Sequence, residues 1–186
     1  MASLTRDRTA PGISAGTEEG VLVGPAARKM LAVVRLSVGF LMLWAFFDKL
    51  FGFGYSTPSA KAWIHGGTPS QGFLGHLEGP FAGFFGGMAS AFSDGLFMFA
   101  LLAIGAAVML GIGLRVAAVA GSILMLLMWM AEFPITLTHS TNPLVDYHII
   151  YGLLFVFFAL TFAGDTWGLG RWWRGLPIVQ QHGWLR

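Results

Sequence analysis

Large apolar residues gather into four runs, and the prolines and most of the glycines and charges fall outside them. The runs predict membrane-crossing helices at about 30–51, 95–114, 116–133 and 146–164. At about 1.5 Å per residue the first reaches roughly 33 Å, enough for a hydrocarbon core of about 30 Å. The wholly apolar parts of the third and fourth, 116–131 and 149–164, reach only about 24 Å. Glu132 and Pro134 close the third, and Asp146, Tyr147 and His148 lead into the fourth. Small residues repeat every four positions in the second run (Ala103, Ala107, Gly111) and again at Ala117 and Gly121 in the third. That spacing lets helices approach closely. With so short a link between them, these two runs predict an antiparallel hairpin.

The connection from 52 to 94 is long and broken by Gly and Pro. Within it, SAKAWIH predicts a short helix ending at Gly66, and PFAGFFGGMASAF (80–92) is apolar but too short to span, so it predicts an interfacial or re-entrant piece. Before the first run, residues 1–27 are rich in Ala, Gly, Ser and Thr and predict a disordered tail rather than a signal peptide. Residues 28–175 form the membrane domain, and 176–186 a second tail. The fold class expected is an all-α integral membrane protein. Its core is a four-transmembrane-helix bundle, with a long outer loop between helices one and two carrying short interfacial helices.

Composition agrees with that class. Of 186 residues, 55% are hydrophobic and 11% charged, against about 25% charged in a soluble domain; mean hydropathy is +0.69. A net charge of +2 gives no reason to expect nucleic acid, and the partners predicted first are membrane lipids. There is no cysteine, which removes disulfides, thiolate chemistry and Cys-ligated iron–sulfur or zinc centres. Basic residues fix the orientation. With both termini cytoplasmic, Arg6, Arg8, Arg28, Lys29, Arg115, Arg171, Arg174 and Arg186 lie inside, and only Lys49 and Lys61 outside. A multi-pass protein of a bacterial cell membrane is the expected location. Trp167, Trp172 and Trp173, mixed with Arg171 and Arg174, read as headgroup anchors.

That orientation collects Asp48, Lys49, His65, His76, Glu78, Asp94, Glu132, His139, Asp146 and His148 in the outer half. Helical spacing puts Met125, Met128, Trp129 and Glu132 on one face. It puts Tyr147, His148 and Tyr151 on another, with Asp146 turned away, and Arg35 with Lys49 on a third from which Asp48 points away. Arg35 either snorkels to the inner headgroups, braces the bundle in an ion pair, or serves a site. Arg35 and Asp48 are taken as structural charges. A haem needs histidines on facing helices, and only His148 lies on a span, so no haem, iron–sulfur cluster or metal is expected. His139 and His148 with Asp146 are the one weak metal-ligand grouping.

Three stretches together resemble the DoxX/DoxD family of membrane proteins: RLSVGFLMLWAFFDKLFGF, AWIHGGTPSQGFL and NPLVDYHIIYGLLFVFFALTFAGDTWGLGRWW. The resemblance covers roughly 30–175. Gly-Leu-Gly-Arg-Trp-Trp stands where many members have a Ser-Leu-Asp style ending. The resemblance implies a four-helix membrane bundle and, through its DoxD branch, a subunit of a thiosulfate:quinone oxidoreductase that works with a second subunit. On that reading a small sulfur oxyanion, thiosulfate, meets the outer face and quinone is the second substrate. Physical reasoning then proposes Glu132, His148 and Tyr151 as catalytic proton groups, and Lys49, His65, Tyr147 and Trp129 as substrate-binding groups. The chain carries no recognisable redox centre of its own. The alternative is a non-catalytic structural or assembly subunit of a larger respiratory-type membrane complex, or a homo-oligomer.

Overall fold

The computed structural model describes residues 16–22, 24–134 and 141–186. Among them every regular element is helical: α1 (Glu18–Val21), α2 (Pro25–Phe51), α3 (Gln71–Leu74), α4 (Ala82–Gly86), α5 (Ala91–Leu110), α6 (Leu114–Ala131), α7 (Tyr147–Leu160), α8 (Gly170–Gly175) and α9 (Pro177–Gln181), with short 3₁₀ turns at Ser59–Lys61, Trp63–His65 and Gly183–Leu185. Three helices, α2, α5 and α6, are long and apolar enough to cross a membrane. The fourth, α7, is apolar but has 14 residues.

Local chemistry sets the boundaries. Pro25 starts α2, five residues before the expected start, because a missing N–H costs nothing in a first turn. Gly52 ends it with a left-handed φ of 71°. A reciprocal Ser90/Ser93 capping box starts α5 at Ala91, so its first turn takes in Asp94, outside the expected span of 95–114. Gly111, at φ 72°, ends α5. The last run departs most from expectation. Asp146 caps α7, but the helix stops at Leu160, and 161–169 is a turn rather than the final residues of a span reaching 164. The long connection likewise forms separate turns: SAKAWIH becomes two 3₁₀ pieces ending at Gly66, and only Ala82–Gly86 of 80–92 is a helix before α5 begins.

The helices pack antiparallel in sequence order, and glycines decide how close they come. A Cβ on Gly39 of α2 would lie 2.8 Å from the Met109 amide nitrogen, and one on Gly105 of α5 would lie 2.9 Å from Leu43. Gly121 of α6 lies under the Phe155 ring of α7, and Ser122 Oγ donates to the Gly152 carbonyl at 3.1 Å. Gly121 was expected from the small-residue pattern, whereas Gly105, which also brings α2 and α5 close, lies outside that pattern. Met42, Phe46, Met98, Leu101, Val108, Met125 and Phe155 form the core. Phe40, Phe47, Phe99, Val119, Leu126 and Leu153 point outward. A helix surface apolar on its outside as well as its inside suits lipid rather than water.

Both expected tails are folded where they are described. Thr17 caps α1, and the buried Glu18 sits against the turn after α7: its N–H donates to Asp165 Oδ2 at 3.1 Å, and Thr166 Oγ1 donates to its Oε2 at 2.6 Å. At the other terminus, Arg115 donates to the Gly183 carbonyl, its N–H donates to the Arg186 carbonyl, and Val179 is fully buried. Glu18 Oε1 has no hydrogen-bond partner among the described residues. Burial pushes the Glu18 carboxyl above its ordinary 4.5, against the lowering effect of the Thr166 bonds, and Asp165 adds to the rise. A carboxyl raised in this way contributes stability that is complete below about 4.5 and lost as pH climbs through the raised value. Glu18→Gln keeps an acceptor for Thr166 and removes the titration. Thermal midpoints in detergent, measured against pH, should therefore fall less steeply in the variant than in the wild type. A wild-type-minus-variant difference that is flat with pH sinks the idea.

A candidate binding cavity at the Lys49 end of the bundle

Two buried carboxylates hold the 52–90 connection down on the helix ends. Asp48, 1% exposed, accepts from the Tyr55 N–H, the Ser56 N–H and Ser56 Oγ. Asp94, 4% exposed, accepts from the Ser70 N–H and Oγ, the Gln71 N–H and Gln71 Nε2. At its far side the connection meets the end of α6, where a Cβ on Gly79 (φ 96°) would lie 2.4 Å from the Phe133 carbonyl oxygen.

Under this cover lies a cavity of about 440 Å³, within the range of small-molecule sites. Leu96, Phe97 and Ala100 of α5 and Leu124, Leu127 and Met128 of α6 wall it, and Phe73, Leu74, Phe85 and Met88 close it from the connection. Lys49, Ser56, Ser70, Ser93, Glu132 and Tyr147 supply its polar groups. Lys49 Nζ stands 5.9 Å from the centroid of the Phe97 ring, a cation–π contact, and forms no ion pair among the described residues.

Behind Glu132 stand Asp146 and His148. One carboxylate oxygen from each acid and one ring nitrogen of His148 all lie within 4.8 Å of one another. Asp146 Oδ1 accepts from the His148 and Ile149 N–H groups, capping α7, and its Oδ2 lies 2.8 Å from His148 Nδ1. Spacing alone turned Asp146 away from His148. The cap overrides it, because an N-cap residue is not helical and its side chain folds over the first turn. His148 is 1% exposed. Burial pushes the Glu132 carboxyl up, with His148 opposing and Asp146 adding to the rise.

The expected site residues separate. Lys49, Glu132 and Tyr147 line the cavity. His148 lies behind it, under the Tyr147 ring at 4.0 Å between centroids, and Tyr151 packs on the core beside Tyr147. Trp129 is not among the residues lining the cavity: its Nε1 donates to the Leu144 carbonyl at 2.9 Å, and its ring packs on Phe133. His65 is exposed, with Nδ1 2.9 Å from the Ser59 carbonyl oxygen, and is not on the wall. His139 lies outside the described residues.

Arg35 does not snorkel. It is fully buried at the opposite end, donating to the Ala163, Val108, Met109, Thr166 and Trp167 carbonyls at 2.6–3.3 Å. The roles of Asp94, Ser70 and Gln71 were missed. An acid beside a helix start was the one available signal, and it does not name the loop residues it will hold. Comparison with known proteins finds no matching family model, no matching curated protein and no matching solved structure.

Proposed function

We propose that this chain is a membrane-embedded, quinone-binding subunit of an oxidoreductase. It spans a bacterial cell membrane four times, with both termini cytoplasmic. The helix α7, together with the turn after it, makes the fourth crossing along α6. The observation that carries the reading is the cavity: a largely apolar chamber between helices whose wall includes Lys49, Glu132 and Tyr147. A quinone has that form, with a ring bearing two carbonyl acceptors and a hydrocarbon tail. Lys49 and the Tyr147 hydroxyl are donors for the carbonyls, and Leu96, Phe97, Leu127 and Met128 match the ring and the start of the tail.

Reduction of quinone to quinol takes two electrons and two protons. The DoxX/DoxD resemblance supplies thiosulfate as the electron source: two thiosulfates each lose one electron and join through a new S–S bond as tetrathionate. Among the described residues Lys49 is the one Lys or Arg on the cavity wall that could attract such an anion. A second subunit would bring the electrons in.

Ala100 faces the chamber. Ala100→Trp fills it, and is expected to weaken binding of a short-chain quinone more than about tenfold, roughly 1.4 kcal/mol. Quenching of tryptophan fluorescence in nanodiscs, compared with Ala103→Trp as a bulk control, reads this. No quenching in the wild type, or equal affinity in Ala100→Trp, defeats the proposal. Thiosulfate-dependent quinone reduction by the pure chain, against the chain with its co-purifying partner, then separates a catalytic from a supporting role.

A further inference from the structure

The geometry points to a divalent-cation site formed by Glu132, Asp146 and His148, binding a first-row transition ion such as Zn²⁺ or Mn²⁺. The three residues come from facing ends of two helices. Glu132 is the C-cap of α6 and Asp146 the N-cap of α7, with His148 two residues beyond. Their donor atoms already lie within 4.8 Å of one another.

The chemistry of the set selects the ion. Two carboxylates bring two negative charges into a half-buried helix junction, and a divalent cation cancels them. One imidazole favours transition ions over Ca²⁺ or Mg²⁺, which prefer oxygen alone. Metal–ligand distances are about 2.0–2.2 Å. His148 Nδ1 and Asp146 Oδ2 stand 2.8 Å apart. At an ion about 2.1 Å from each, that separation subtends close to a right angle, the cis angle of an octahedral site. The ion would take the place of the hydrogen bond between these two atoms. Asp146 Oδ1 keeps its cap bonds to the His148 and Ile149 amides, so ligation does not undo α7. Glu132 has only to swing inward, and its carboxylate makes no hydrogen bond to another described residue that would hold it back. The ion would also tie α6 to α7 across their connection.

With the ion in place Glu132 becomes a ligand, and Lys49 and Tyr147 remain for whatever enters the cavity. The inference therefore stands apart from the quinone reading, and its test uses metal alone. The full chain, purified in detergent and stripped with a chelator, is titrated with Zn²⁺ and separately with Mn²⁺ by calorimetry, and bound metal is counted by mass spectrometry. The expected result is one equivalent per chain. Glu132→Gln and His148→Gln should each weaken it by more than about 100-fold, beyond the 10–100-fold typical of outer-shell partners. The double variant His65→Ala/His76→Ala should leave it unchanged, because both histidines are exposed and neither belongs to the triad. Asp146→Asn, which retains the Oδ1 cap, gives the same reading should His148→Gln fail to fold. An added ion should also raise the thermal midpoint of the wild type and not of Glu132→Gln. Absence of saturable binding in the wild type overturns the inference. So does binding that survives Glu132→Gln, or binding that disappears with the two exposed histidines.

Discussion

Arg35→Met should cost about 3–5 kcal/mol of folding stability, the range for breaking a buried charged group's contacts by removing one partner. The guanidinium is fully buried and spends all its reach on backbone. Its Nη1 donates to Val108 and Met109 in the last turn of α5, where unpaired carbonyls give the helix its negative end. Its Nε and Nη2 donate to Ala163, Thr166 and Trp167 in the turn after α7. One side chain of α2 thus closes the ends of two other helices. The turn it closes needs closing: Phe162 and Trp167 both sit at positive φ, 52° and 53°, a conformation non-glycine residues seldom hold unaided. Methionine matches the stem and takes the guanidinium donors away from five carbonyls, of which Val108 keeps the Gly111 N–H. Lysine keeps the charge but has three donors on a point-like head, against five in a planar fork, and should restore less than half of the loss. Unfolding by denaturing detergent in mixed micelles measures both. A loss below about 1 kcal/mol for Arg35→Met would mean that lipid headgroups or water satisfy those carbonyls, and that the clamp is not structural.

Asp94→Ala should have the second large effect, and it should be felt at the cavity. The carboxylate takes four hydrogen bonds from Ser70 and Gln71 at 2.5–3.1 Å while itself buried in the first turn of α5. Bonds to a charged group are worth about 1.5–3 kcal/mol each and are not additive, so a total near 3 kcal/mol is expected, with the Ser70 and Gln71 amides left unpaired. Pro69, Ser70, Phe73 and Leu74 are part of the cavity wall, so freeing this segment removes one side of the chamber. Amide exchange at Ser70 and Gln71 should quicken by roughly two orders of magnitude, following the local opening free energy. Exchange that stays slow in Asp94→Ala would show that apolar contacts of Phe73 and Leu74, not the carboxylate, hold the cover. Asp94→Asn presents its own N–H groups to donors and should lie between wild type and Ala. Loss of quinone binding in Asp94→Ala with the bundle still folded would tie the cover to the site.

Hydrophobic pattern alone determined much of this protein. Runs of twenty or so apolar residues have only one inexpensive backbone arrangement in lipid, so α2, α5 and α6 were legible, as was the hairpin turning on Gly111–Gly113. The gathering of Asp48, Lys49, Asp94, Glu132 and His148 toward one end of the bundle was legible too, since alternating helices carry their ends to alternating sides. Side-chain direction at helix ends was not. Asp146 and Asp48 lie at helix termini, where the 3.6-residue repeat no longer fixes where a carboxylate points, and each turned to whichever amides were unpaired nearby. The fate of Arg35 depended on carbonyls more than seventy residues away in sequence, which no local pattern contains. The cavity, likewise, exists because Asp94 holds Ser70 and Gln71 while α5 and α6 stand apart beneath them. Each of these is a long-range pairing between polar groups that lipid leaves no other way to satisfy, and only the folded chain brings the partners together.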